Sequence, residues 1–323
     1  MGDRASFKRC RRAWDFGARA RQNRQLRSAA ATAAPSLAGA VHRALDVYYY
    51  PGMWAWPRAI VVPLVHEALT AGLAQVKGPG TDHTSAADHT SAVDHAHALI
   101  DAYVTWAADR DQFTPLQVAT EIAVNIPDPV LFDRDLGTVS GDPVRFETWL
   151  DAVVVDEAYL PWLLCQRVTA DPWVTPEVLA VEEVALTDCW AYEHHFLDAR
   201  MAGVIFNEIR VDAAAGEPFR RTTLRVTRAE IEAAGRQLGF EALEMLDDGL
   251  TLYPNPSAAN CSPCPFLAPC RAVRQGADPG PVLAESYRLR PDDPLVEGRL
   301  GGRTWSMSRG ARPNRFGTEG TGQ

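Results

Sequence analysis

Lysine is almost missing from this chain. Only Lys8 and Lys77 occur, and the other thirty basic side chains are arginines. Chemistry that needs an amine able to release its proton therefore has two candidates at most, and charge recognition falls to guanidinium groups that stay protonated. Long apolar runs are missing too. No stretch of about 18 uncharged apolar residues exists to cross a bilayer, and the opening MGDRASFKRCRRAW carries charge where a secretory signal would place its apolar core. A cytoplasmic protein without a membrane partner is expected. Cysteine is scarce, with six in 323 residues. In a reducing compartment these serve as metal ligands, reactive thiols or core residues rather than as disulfides.

What is present is enough to bury one sizeable core of mixed α/β type, since 46% of residues are hydrophobic. The net charge of −9 argues against an all-basic nucleic-acid surface, but the charge is unevenly placed. Residues 1 to 27 hold Arg4, Lys8, Arg9, Arg11, Arg12, Arg19, Arg21, Arg24 and Arg27 against Asp3 and Asp15, a local +7 that leaves −16 for the remainder. Such asymmetry fits either a polyanion contact or a solvated basic helix.

Along the chain, long helix formers fill residues 5 to 30, and Ala34-Pro35-Ser36 supplies a cap for a helix from Leu37 to about Tyr50. A helix over 58 to 76 ends at Gly78-Pro79-Gly80. The unit DHTSA then repeats, placing His83, His89, His95 and His97 in a low-complexity insertion over 78–97. A six-residue step turns a helix by roughly 600°, which scatters the imidazoles and favours a solvated insertion over a metal site. A helix is expected over 95 to 110, strands over 116 to 126, 144 to 155 and 160 to 168, and a hairpin turn at 156 to 159. A long helix over 176 to 203, a strand over 204 to 211 and a helix over 227 to 246 opened by Thr227 and Glu230 follow. From 285 to 323 periodicity is lost and a disordered tail is expected, leaving one domain over 1–284.

The densest local signal is Cys261-Ser262-Pro263-Cys264-Pro265-Phe266-Leu267-Ala268-Pro269-Cys270. Short gaps with interleaved prolines fold the backbone tightly enough to aim several thiolates at one centre, as an iron-sulfur cluster or a soft metal requires. Zinc sites also open with two cysteines separated by two residues, so both readings stand. With Lys8-Arg9-Cys10-Arg11-Arg12-Ala13-Trp14 far upstream and Tyr253-Pro254-Asn255-Pro256 just before the cluster, the arrangement resembles the iron-sulfur staple of RecB/AddB-like and CRISPR-associated RecB-like nucleases of the PD-(D/E)XK superfamily. The resemblance covers residues 5 to 276 and implies a restriction-endonuclease-like core, with a mixed sheet flanked by helices and a C-terminal cluster loop. It also implies a 4Fe-4S cluster held by Cys10, Cys261, Cys264 and Cys270.

The family's nuclease signature carries over in part. Gly39-Ala40-Val41-His42 resembles its His motif, and Asp151 in Thr148-Trp149-Leu150-Asp151 stands where its metal-binding Asp belongs. By the same resemblance His42 and Asp151 are the metal ligands. In the next strand Cys165 replaces the second carboxylate and Arg167 replaces the lysine. Asp188-Cys189-Trp190-Ala191-Tyr192 keeps the Tyr of a Gln-x3-Tyr motif and changes the Gln. Phosphodiester hydrolysis needs Mg²⁺ or Mn²⁺ held by hard oxygen ligands. Cys165 is soft, and Arg167, with a pKa above about 12, cannot accept a proton from water.

The resemblance therefore implies a DNA-binding protein, acting on single strands or duplex ends, whose hydrolase site His42, Asp151, Cys165, Arg167 and Tyr192 cleaves weakly or not at all. One rival is a working metal-dependent exonuclease using a displaced acid, Glu121, Glu147, Asp156 or Glu157. The other is a zinc-stapled scaffold for a protein partner. A protein partner in a repair, phage or defence complex fits the family as well.

Overall fold

The computed structural model describes residues 3–27, 37–74, 86–131, 133–138, 141–211 and 217–290. In chain order the elements are α1 (Asp3–Arg9), α2 (Arg11–Gly17), β1 (Arg24–Leu26), α3 (Leu37–Tyr48), a 3₁₀ turn (Pro51–Met53), α4 (Arg58–Ala74) and α5 (Ala86–Ala108). Next come β2 (Thr114–Asn125), β3 (Arg145–Val155), β4 (Pro161–Thr169), α6 (Pro176–Ala180), α7 (Glu183–His195), β5 (Gly203–Arg210), β6 (Phe219–Arg225) and α8 (Arg228–Leu246). The chain ends, as described, with α9 (Ala258–Cys261), α10 (Leu267–Arg274), α11 (Gly280–Ser286) and β7 (Tyr287–Leu289). The class is α/β. A mixed five-stranded sheet runs in the order β2-β3-β4-β5-β6, and β1 and β7 form a separate two-stranded sheet. The chain divides into two compact units, one of Met1–Ala33, Asn125–Glu147 and Gly239–Gln323, the other of Ala34–Val124 and Thr148–Leu238.

In the larger unit, α3 buries Ala40, Val41, Ala44, Leu45 and Tyr48, a spacing that lines them along one stripe. α4 approaches so closely that a Cβ on Gly72 would stand 2.8 Å from the Cα of Ala40. Only a glycine fits there. These helices and α5 cover one sheet face through Ala152, Val154, Trp162, Leu164, Ile205, Ile209 and Phe219. β4 pairs antiparallel with β3 and parallel with β5, and β5 pairs antiparallel with β6. β5 is buried from Gly203 to Ile209 and β4 from Trp162 to Gln166, as expected where a parallel pair is covered on both faces.

That face also carries a polar row. Gln166, Asn207 and Arg221 are paired across β4, β5 and β6. Asn207 Nδ2 donates to Gln166 Oε1 at 2.5 Å and to the Tyr103 hydroxyl at 2.6 Å, and Arg221 Nη2 donates to Asn207 Oδ1 at 3.2 Å. Arg221 also closes on Asp111 at 2.5 Å, with side-chain exposures of 10% and 1%. Tyr48 and Tyr49 each donate to the same carboxylate at 3.2 Å. Burial raises the Asp111 pKa although Arg221 opposes it, and burial pushes Tyr48 up to about 12.

The smaller unit joins the two ends of the described chain. β1 and β7 pair antiparallel, with Arg24↔Leu289, Gln25↔Arg288 and Leu26↔Tyr287. Ala13, Phe16, Phe266, Leu283 and Tyr287 form its core. Arg4 and Lys8 both close on Glu241, at 2.5 and 2.7 Å, and Arg11 closes on Glu244 at 2.5 Å.

Several expectations are revised. The helix over 5 to 30 breaks at Cys10, whose φ of −165° is extended, and gives way to β1 after Asn23 turns the chain at φ 51°. The helix over 176 to 203 is shorter and divided. Glu182 accepts the Ala185 N–H at 2.7 Å and so starts α7 afresh, and α7 ends at His195. Strand β6 was not anticipated, because the polar pattern Phe219-Arg220-Arg221-Thr222-Thr223-Leu224-Arg225 hides its alternation. The disordered tail does not begin at 285, since α11 runs to Ser286 and β7 follows. That strand exists by pairing with residues some 265 positions upstream, which local composition cannot register. Residues 291–323 of the expected tail lie outside the described residues, as do 75–85, and α5 already begins at Ala86 within the expected insertion. The capping box of α8 is present, with Glu230 accepting the Thr227 N–H at 2.7 Å and Thr227 Oγ1 accepting the Glu230 N–H at 3.3 Å. No described helix is long and apolar enough to cross a membrane.

The buried pair gives a direct test. Arg221→Met leaves the Asp111 carboxylate uncompensated and should cost about 3 to 5 kcal/mol in chemical denaturation, with Asp111→Leu in the same background recovering much of it. An unchanged denaturation midpoint for Arg221→Met would show that the pair does not hold the core.

Candidate functional site

The four cysteines of the expected staple lie in the smaller unit. Cys10 sits in the break between α1 and α2. Across from it, Pro254-Asn255-Pro256 has one backbone donor, because proline has no N–H, and that Asn255 N–H donates to Cys10 Sγ at 3.4 Å. The loop is pinned by Asn255 Nδ2 donating to the Arg9 carbonyl and Asn260 Nδ2 donating to the Asn255 carbonyl, both at 3.0 Å. Ser257 then caps α9, accepting the Asn260 N–H at 3.0 Å, and α9 ends on Cys261. The Cys264 N–H returns to the Cys261 carbonyl at 3.2 Å, and Cys270 follows within α10.

All four cysteines are among the residues that line one pocket of about 70 Å³. Burial pushes the Cys270 thiol up, and its neighbours Cys10, Cys264 and Cys261 raise it further against the opposing charge of Arg12. The thiols are thus near enough to repel one another as thiolates. Among the described residues no group of three or more His, Cys, Asp or Glu is arranged to hold a single metal ion. The donor set is four cysteines lining a shared void, which fits a soft multinuclear centre in residue type and count.

The other candidates lie in the larger unit. Asp151 on β3 is 4% exposed, and its Oδ2 accepts the Gln166 N–H at 2.9 Å. Continuing the register one residue beyond Ala152↔Leu164 sets Asp151 opposite Cys165. Arg167 stands two residues on, paired with Glu208, which is paired with Arg220. Asp188 of α7 accepts from Thr148 Oγ1 at 2.7 Å, so the changed Gln position ties α7 to β3. Burial raises Tyr192, and burial, then Asp188, raises the Cys189 thiol. His42 is half-buried on α3. Asp151, Cys165 and Arg167 are therefore brought together on adjoining strands.

Of the displaced acids, Asp156 is committed to the β3–β4 turn. The Trp162 indole at 3.0 Å and the Leu160 and Ala158 N–H groups at 2.9 Å hold it below the usual carboxylate range. Glu121 and Glu157 are exposed, and Glu147 is half-buried on β3. Sequence reasoning missed Glu208 and Asn207. Both are polar residues inside the apolar run of β5, and a polar group in a strand buried on both faces is itself the signal.

Much of the basic N-terminus is paired within its own unit. Besides Arg4, Lys8 and Arg11, Arg21 meets Asp15 at 3.1 Å and stacks 5.2 Å from the Trp14 ring centre. Arg12 donates to the Leu252 carbonyl at 2.6 Å and Arg27 to the Ala284 carbonyl at 3.1 Å. In the His repeat, His83 and the His89 side chain lie outside the described residues. His95 meets the Val211 carbonyl at 3.1 Å, and His97 meets His66 of α4 at 2.6 Å.

No family model and no curated protein matches the chain. Among solved structures, a likeness is found to the crystal structure of SSO0001, 12% identical, covering 69% of this chain and 82% of that chain at a TM-score of 0.30. A likeness that distant carries no argument.

In metal-free protein the N-terminal segment is held by β1, β7 and the Glu241 and Glu244 ion pairs. Cys10→Ala should then shift the urea midpoint by no more than about 1 kcal/mol in chelator. A larger loss in protein as isolated than in chelator identifies a bound centre at Cys10. Equal midpoints in both conditions would remove Cys10 from any such centre.

Proposed function

We propose that the chain is a DNA-binding protein of the PD-(D/E)XK nuclease type, cytoplasmic, with a 4Fe-4S cluster in the Cys10, Cys261, Cys264 and Cys270 pocket and a degenerate hydrolytic site. The observation that carries this reading is the pocket. Four cysteines, one of them some 250 residues from the others, line a single void. The sheet is in keeping with it: β5 is laid parallel to β4 after α7, in a mixed sheet flanked by helices of the kind the resemblance implies.

The residues themselves argue for weak chemistry. Asp151 offers one hard carboxylate, and Cys165 opposite it offers a soft sulfur that Mg²⁺ does not favour. Arg167 is a fork for phosphate oxygens and cannot serve as a base. Glu208, the nearest new acid, is neutralised by Arg220, and Asp156 is held in its turn. Of the acids that could be displaced into the site, Asp156 is thus taken up by its turn and Glu208 by Arg220. When bound, the cluster supplies cross-linking of the two chain ends. The pinned Asn255 N–H stabilises negative charge on the Cys10 sulfur, and the N-terminal segment is held against α9 and α10.

Protein purified anaerobically should be brown and carry about four irons with matching sulfide per chain. Stoichiometric zinc without iron would select the zinc-stapled scaffold instead. Because Cys270 is raised, it must release a proton to become a ligand, so affinity for a probe metal such as Co²⁺ should increase as pH rises. In the hydrolytic site, Cys165→Asp with Arg167→Lys should create or raise Mg²⁺- or Mn²⁺-dependent cleavage of DNA ends, each single change much less, because the two residues act as a unit. Asp151→Ala should abolish the gain. Strong cleavage by unmodified protein that survives Asp151→Ala would place the active site elsewhere.

A further inference from the structure

Arg167, Glu208 and Arg220 form one row across β4, β5 and β6. Glu208 is 1% exposed; Arg220 grips it through Nε at 2.7 Å and a shorter Nη2 contact, and Arg167 Nε stands 4.0 Å away. Two residues along β5, Arg210 projects to the same face as Glu208. Its guanidinium lies 5.4 Å from the Trp173 ring centre, and that of Arg220 lies 5.2 Å from it. Arg167 and Arg220 thus flank one carboxylate, and Arg210 shares the Trp173 ring with Arg220 beside them.

One carboxylate cannot satisfy three guanidinium forks. Arg220 takes both oxygen-side donors to Glu208 and reaches the Val174 carbonyl as well. Among the described residues Arg167 has only its long ion pair, and Arg210 Nε is buried without a hydrogen-bond partner. The side chains of Arg167 and Arg220 remain 32% and 28% exposed. The row is therefore built like an anion subsite, with Glu208 and Trp173 fixing guanidiniums whose remaining donors face no protein acceptor.

We propose that Arg167, Arg210 and Arg220 form a subsite for a backbone phosphate of a nucleic-acid strand. The proposal rests on the nucleic-acid reading above and gives it a surface. The basic N-terminus, by contrast, has Arg4, Lys8, Arg11 and Arg21 already in ion pairs. A strand is favoured over a free phosphate ion because a half-exposed, salt-screened site holds a single ion weakly, whereas linked phosphates add contacts at high effective concentration.

The test uses full-length protein and a fluorescein-labelled oligothymidylate. Arg220 is left in place, since removing it would strand buried Glu208. Arg167→Gln with Arg210→Gln should bind roughly tenfold more weakly or worse, and the slope of log affinity against log salt should flatten by about 1.4, at about 0.7 per lost contact on single strands. Arg167→Lys with Arg210→Lys should recover part of both. Iron content and melting temperature, measured alongside, should match those of wild type. If wild type and the Gln variant bind equally, the subsite is overturned and the DNA-binding reading survives. If wild type binds no oligonucleotide, both fall. Should inorganic phosphate raise the melting temperature of wild type and not of the Gln variant while no oligonucleotide binds, the site takes a free anion and the strand assignment is wrong.

Discussion

The ion pair between Asp111 and Arg221 is the contact on which the larger unit depends. It sits where α5 ends, where β6 edges the sheet, and where Tyr48, Tyr49 and Tyr103 converge, so helices and sheet can close only if that charge is neutralised. A carboxylate so deeply buried would otherwise stay protonated or remain in water. Arginine suits the position because its planar fork meets a carboxylate oxygen, a tyrosine hydroxyl and an asparagine carbonyl at once, and its flat face lies 5.1 and 5.3 Å from the Trp106 and Phe113 ring centres. A lysine ammonium offers no comparable plane. The same solution recurs at Glu208 with Arg220, Glu193 with Arg228, and Glu241 with Arg4. The near-absence of lysine is therefore expressed inside the fold as well as on its surface.

Much of the architecture was legible from local pattern. The stripe in α3, the β3–β4 hairpin with its turn at Asp156, and the capping box at Thr227 and Glu230 each declare themselves within a dozen residues. What stayed hidden depends on partners far along the chain. β7 is three residues long with only Tyr287 buried, and it is a strand only because Arg24–Leu26 is there to pair with it. β6 was obscured because Arg220 and Arg221 point to opposite faces, each paired with a specific acid and packed on an aromatic ring far away in sequence. Local hydropathy reads both as solvent.

The candidate sites divide in the same way. The cysteine spacing over 261–270 was readable, and the structure sets Cys10 at the same pocket. The role of Asn255 was not readable, since it depends on two flanking prolines having no donor and on the sulfur that the remaining donor meets. Asp151, Cys165 and Arg167 were singled out by the family resemblance, and the structure sets them on the adjacent strands β3 and β4. Glu208 was missed because it belongs to the next strand, where pattern reasoning counted an apolar run and passed over its two polar members.

The junction of β1 with β7 has a consequence for how the chain is made. Arg24–Leu26 find their partners only at Tyr287–Leu289, and the ion pair from Arg4 spans 237 positions. At roughly 5 to 20 residues per second on the ribosome, an emerging segment with seven excess positive charges and the Cys10 thiol waits on the order of tens of seconds before its sheet, its acids and its pocket exist. The larger unit, which lies entirely between these ends, can be complete first. Assembly of the cysteine pocket then waits until translation has passed α10, whose Arg274 is the most C-terminal residue of its lining, and whatever fills that pocket can meet a larger unit already folded.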